Sequence, residues 1–206
     1  HIAHAFQVML GDDDHNGWKS PPRRFSHVNH GRVSSLNLLC NVQPEQLKSI
    51  RAKMIDAVLH TDMSKHFASV SSMKALVMNH NEKSTEMDEV STWKVLCFML
   101  HLADISNPAK PDPLYKVWAD RCLEEFFAQG DKEKELKLPV SPNCDRVTTK
   151  KAASQIGFLT FVVLPAYEVL ALILEPVEYR ILPVIQSNTE HWKGEEEKSG
   201  ESTTEQ

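Results

Sequence analysis

The sequence predicts an all-α fold, and three observations carry that prediction. Apolar residues recur at helical spacing through most of the chain, no strand-like alternation of any length occurs, and proline, acidic and Asx residues stand where helices would start. The 206 residues suit one sizeable domain or a large part of one. With 41% apolar and 25% charged residues, the composition is that of an ordinary globular protein. A net charge of −5 offers no basic surface for nucleic acid or anionic lipid.

Residues 1–10 read as the remainder of a helix, with Ala3, Phe6 and Leu10 on one side. His1 and His4 are candidate metal ligands or catalytic acids, although lone histidines are more often structural. The chain opens mid-pattern without an initiator Met, as a fragment or processed product does. Residues 11–42 hold turn formers and charges without periodicity, so they read as a long polar loop. Asp12, Asp13, Asp14, His15, His27 and His30 lack the spacing of a calcium loop, which favours solvated loop over cation site.

Pro44 and Glu45 start a helix that runs to Thr61 on Leu47, Ile50, Met54, Ile55, Val58 and Leu59. A second helix is expected over 63–78 and a loop over 79–87. Asp88 then caps a helix ending in FMLHLADISNP. Its last turns bring His101 and Asp104 to one face, and Asn107 and Pro108 stop it. A carboxylate at the end of a buried helix needs a partner. A metal ion or a nearby cation would serve, and the spacing by itself favours a local cap or ion pair with His101 as a core histidine.

Asp112 as N-cap and Pro113 as first residue open a helix to about Gln129, with Tyr115, Trp118, Cys122 and Phe126 on one side and Gly130 as its stop. Residues 131–138 read as a short solvated helix or loop, and 139–145 as a proline-containing loop. The apolar run around FVVLPAYEVLALIL is interrupted by Gly157, Pro165 and Glu168, so it reads as a core helix kinked at Pro165 rather than a membrane span. One more helix is expected over 176–192, and 193–206 reads as a disordered tail. The four cysteines form no CxxC pair; Cys97 and Cys122 read as reduced core residues. With no signal peptide, the expectation is a cytoplasmic protein. Glycine-rich phosphate loops, GxSxG and HExxH are all absent, so pattern alone yields a bundle with one buried carboxylate and no reaction.

Several motifs in order supply more. LHTDMSKHF, HLADISNPAKP, LYKVWADRCLEEFFAQGDKEKEL, LPVSPNCDR and ASQIGF together resemble the C-terminal half of the catalytic domain of a class I 3′,5′-cyclic nucleotide phosphodiesterase, over residues 43–192. The residues from His1 onward resemble the helix that follows that family's Asn-His-His segment. The resemblance implies an HD-type helical bundle with its N-terminal part missing: a partial catalytic domain at 1–192, a polar insertion at 11–42 and a tail at 193–206. It implies hydrolysis of a cyclic nucleotide by two metals, zinc with magnesium or manganese, which activate water and stabilise phosphoryl charge.

By the same resemblance, Asp104 ligates zinc, Gln155 hydrogen-bonds the purine edge and Phe158 stacks on the base. Asn107 belongs to the base pocket and leans towards cAMP over cGMP. Tyr115 and Trp118 line or support that pocket, with Ile105 and Ile156 as apolar walls and Pro142 and Asn143 in a bordering loop. Thr61, Asp62 and Met63 line the metal and phosphate side. The family's other three metal ligands and its general-acid histidine lie upstream of the matched region, so the 206 residues by themselves are expected to be inactive. The alternative is a non-catalytic helical module that binds a nucleotide or a partner.

Overall fold

The computed structural model describes residues 5, 9, 39, 41–83 and 87–201. The readings for 1–10, for most of 11–42 and for the last five residues fall outside the described residues. The chain divides into two compact units, His1–Leu59 and His60–Gln206.

The first unit contains helix α1 (Pro44–Leu59). Gln46 Oε1 accepts from the Gln43 N–H at 3.3 Å, a reach-back that satisfies a donor at the helix start. Glu45 stands in the first turn, at the positive end of the helix dipole.

The second unit opens at a 3₁₀ turn, Met63–Lys65, capped by Asp62, whose carboxylate accepts from the Ser64 N–H at 2.9 Å. That bond holds the Asp62 carboxyl below its usual range. Helix α2 (His66–Lys83) follows and runs five residues beyond the expected stop, because residues 79–83 contain neither glycine nor proline. Helix α3 (Glu89–Asp104) starts as expected: Asp88 accepts from the Ser91 N–H at 2.9 Å and its hydroxyl at 2.8 Å. Val95, Phe98 and Leu102, at helical spacing, bury one face.

A 3₁₀ turn, Asn107–Ala109, leads to helix α4 (Asp112–Glu135). Gly130 does not end α4; it lies buried within it. Helix α5 (Lys151–Phe158) continues through a π-helical turn, Leu159–Val163, into helix α6 (Leu164–Ala171). Pro165 has no N–H to offer the preceding turn. In place of a simple proline kink, the Leu164 N–H reaches back to the Leu159 carbonyl in π register. By length and composition Lys151–Ala171 could span a membrane. Its Leu159, Val163, Ala166 and Tyr167 are nevertheless in the core. The expected last helix is two, α7 (Glu175–Arg180) and α8 (Leu182–Glu201). Residues 193–201, expected as disordered, continue α8.

The core joins Phe98 and Leu102 of α3, Tyr115 and Ala119 of α4, Leu159 and Val163 of the π turn, and Ile185 of α8. Tyr167 donates its hydroxyl to the Leu102 carbonyl at 2.9 Å, tying α6 to the last turn of α3. Burial pushes that hydroxyl up to about 12.

Two buried histidines complete this joint. His66 Nε2 lies 3.2 Å from the Val162 carbonyl oxygen, which only accepts, so that nitrogen carries the proton. In the neutral pair His66 Nδ1 then accepts from His101 Nε2 across 2.8 Å. Burial holds both imidazoles below their ordinary value; His66 and His60 add to this at His101, while Asp104 and the Thr61 backbone oppose it. In the unfolded chain both return to about 6.5 and take up protons there. The pair's contribution is therefore complete above about pH 6.5 and lost as pH falls below it. Thermal melts should show Tm falling from pH 7 to pH 5, with a shallower slope after His66→Gln and His101→Gln together. An unchanged slope would contradict the neutral pair.

Candidate functional site

A cleft of about 650 Å³ opens where α4, α5 and the end of α3 face one another. Asp104, Ile105 and Asn107 form one side, Trp118, Cys122 and Phe126 of α4 another, and Gln155 and Phe158 of α5 the floor. Asn143 and Val162 complete the rim. The wall is mostly apolar with a few convergent polar groups, the usual make-up of a small-molecule site.

Gln155 is 8% exposed and held by a relay. The Trp192 indole N–H donates to Tyr115 Oη at 2.9 Å, and Tyr115 donates its own hydrogen to Gln155 Oε1 at 2.8 Å. An indole N–H only donates, so the relay has one direction and leaves the Gln155 amide N–H groups for the cleft. Burial raises the Tyr115 hydroxyl, which keeps it a donor. Asn107 sits on the 3₁₀ turn that Asn188 of α8 fixes by donating to the Pro108 and Lys110 carbonyls at 2.8 and 2.9 Å. Its Oδ1 is buried and has no partner within the protein. A buried acceptor without a partner is costly, and a turn of the side chain towards the cleft would let a ligand donor satisfy it.

Asp104 differs from the expectation of a buried carboxylate: it is exposed at the cleft mouth. It is also the last residue of α3, at the negative end of the helix dipole, where a carboxylate is unfavourable. No ion pair among the described residues involves it. His101 is fully buried, but its Nδ1 lacks a hydrogen bond, so it is only half satisfied.

The structure gathers seven of the expected positions in one cleft: Asp104, Ile105, Asn107, Trp118, Asn143, Gln155 and Phe158. Tyr115 stands behind Gln155 instead of in the wall, and Ile156 packs on the core. Thr61, Asp62 and Met63 are not among the lining residues. Cys122, read as a core residue, is exposed and lines the cleft. Phe126 went unrecognised as a wall residue, although Trp118, Cys122 and Phe126 recur every four residues and so share one face of α4. Among the described residues lining the cleft, Asp104 is the one carboxylate or imidazole. It fits as a single ligand to a divalent ion, and a complete site needs about four to six.

Among the described residues, fold and cleft define a helical domain with a largely apolar cleft and an acid at its mouth. The family model described as 3′5′-cyclic nucleotide phosphodiesterase matches residues 23–182, and the chain belongs to that family. That family is one of phosphoric diester hydrolases that use divalent metal. A 3′,5′-cyclic-AMP phosphodiesterase of Drosophila melanogaster (isoform F) is 37% identical over 161 residues, 76% of this chain and 24% of the relative. The dual specificity calcium/calmodulin-dependent 3′,5′-cyclic nucleotide phosphodiesterase 1B of Bos taurus is 42% identical over 140 residues, 68% of this chain and 25% of the relative. The crystal structure of the phosphodiesterase domain of the Salpingoeca rosetta rhodopsin phosphodiesterase superposes with a TM-score of 0.74 at 28% identity, covering 82% of this chain and 52% of that one. The chain thus spans about a quarter of these curated relatives and about half of that structure.

Proposed function

We propose that this chain supplies the base-reading half of a site that hydrolyses a 3′,5′-cyclic nucleotide to its 5′-monophosphate, with cAMP preferred over cGMP. The observation that carries the reading is the convergence of Gln155, Phe158 and Asn107 in one cleft with Asp104 at its mouth. The Phe158 ring offers a face for a purine to stack on. Gln155 offers its amide N–H groups and the remaining Oε1 lone pair to the purine edge. Asn107, whose buried Oδ1 has no partner in the protein, would offer that oxygen to the exocyclic amino group of adenine on turning towards the cleft; guanine presents a carbonyl oxygen there and would be opposed. Ile105 and Trp118 close the pocket sides, while Thr61, Asp62 and Met63 belong to the metal and phosphate side.

Asp104 is the zinc ligand of this half. Zinc and magnesium (or manganese), when bound, supply an activated water and neutralise phosphoryl charge. Among the described residues lining the cleft Asp104 is a lone carboxylate, which does not retain zinc against water, so these 206 residues alone are expected to bind nucleotide without turnover. Cyclic nucleotide hydrolysis and metal content, measured on this chain beside a protein extended upstream, test the reading. The longer protein should hold two metals and favour cAMP, and the chain alone should do neither. Turnover by the isolated chain, or a preference for cGMP in the longer protein, would contradict the corresponding part.

A further inference from the structure

Two motifs carry no chemistry in this account: FFAQGDKEKEL at the end of α4 and LPVSPNCDR after it. The structure joins them residue by residue. Glu133 accepts from the Ser141 N–H and hydroxyl, both at 2.7 Å. Lys134 pairs with Asp145 at 2.9 Å. Arg146 donates through both terminal nitrogens to Glu124, at 2.8 and 2.6 Å, and through Nε to Asp131 at 2.8 Å. Its guanidinium also lies 5.2 Å from the Phe127 ring centroid.

Gly130 is the centre of this seam. A Cβ there would stand 1.9 Å from the Cys144 carbonyl oxygen and 2.7 Å from its carbonyl carbon. A mid-helix glycine is otherwise unfavourable; here it lets loop backbone lie directly on the helix and buries Cys144 to 4% exposure. Between the clamps the chain turns through Pro142 and Asn143, closed by the Cys144 N–H on the Ser141 carbonyl at 3.1 Å. Asn143 takes φ 63°, the left-handed conformation asparagine tolerates, and it faces the cleft.

We propose that the seam is a positioning device: Gly130 and Arg146 hold the 139–147 loop against α4 as a fixed wall of the nucleotide cleft, so that Asn143 is set before ligand arrives and binding does not bear the cost of ordering it. The binding half of this inference rests on the nucleotide reading above.

Cys144 is a built-in reporter, since its thiol is alkylated only when the loop lifts. The 206-residue chain and its Gly130→Ala and Arg146→Ala variants would be alkylated with N-ethylmaleimide, scored at Cys144 by mass spectrometry, and titrated with AMP. Alanine is the better helix former, so Gly130→Ala keeps α4, as circular dichroism would confirm, while expelling the loop. Labelling of Cys144 should accelerate at least about ten-fold in Gly130→Ala and a few-fold in Arg146→Ala, with AMP affinity falling in the same order. Saturating AMP should slow labelling of the unmodified chain. Unchanged labelling in both variants overturns the clamp. Faster labelling with unchanged AMP affinity overturns the positioning role alone, whereas no AMP binding by the unmodified chain overturns the nucleotide reading and this inference with it.

Discussion

Asp104→Asn is expected to lower cyclic nucleotide hydrolysis by about 10³-fold, roughly 4 kcal/mol of transition-state stabilisation, in a protein long enough to turn over. The substitution keeps the shape of the side chain and removes its charge. Asp104 ends α3 at the negative pole of the helix dipole, exposed, with no ion pair among the described residues to offset it. A residue retained for stability alone would not carry a negative charge there, and its removal should stabilise α3 by about 0.3–1 kcal/mol. Loss of activity is therefore expected together with an unchanged or slightly raised Tm, a reduced metal content and undiminished AMP binding. That combination separates a metal ligand from a structural acid, whose loss would lower Tm. Full activity in Asp104→Asn would remove Asp104 from the metal site.

The helices were largely legible in the sequence because their starts are chemically marked. Asp88 before α3 and the Pro44-Glu45 pair in α1 behave as capping rules require. Helix ends were less legible. Gly130 reads as a stop by conformational preference, yet it is a contact residue, and its neighbour Cys144 is fourteen positions away. The acidic and basic run after it reads as solvated, but Asp131, Glu133 and Lys134 each find a loop partner. Residues 193–201 have a composition that suits disorder and still continue α8, which is anchored at Trp192 and Asn188. At the site, spacing showed that His101 and Asp104 share a face, and motif resemblance named Gln155, Phe158 and Asn107. Neither could show that Tyr115 stands behind Gln155 or that Cys122 faces the cleft, because both depend on how α4 is rotated against α5 and α8.

Tyr115→Phe tests what that rotation achieves. One oxygen is removed, and two buried groups lose their partner: the Trp192 indole N–H and Gln155 Oε1. Stranding a buried polar group costs about 1–3 kcal/mol, so a loss of about 2–5 kcal/mol is expected. In a unit of this size that corresponds to a fall in Tm of roughly 5–15 °C. The functional consequence is separable from this loss. With Oε1 released, the Gln155 amide can turn and offer donor or acceptor to either purine, so the ratio of AMP to GMP affinity should move towards unity. Phe98→Ala is the control. Phe98 is 1% exposed in the same core, and its truncation should cost about 3–5 kcal/mol through the cavity it leaves. It supplies no hydrogen bond to the Gln155 relay and should leave the affinity ratio unchanged. If both variants lose stability and only Tyr115→Phe loses discrimination, the base preference resides in a phenol that need not touch the base. If discrimination survives Tyr115→Phe, the Gln155 amide is oriented by the cleft itself, and the unpaired Oδ1 of Asn107 is the remaining group on which a preference for adenine can rest.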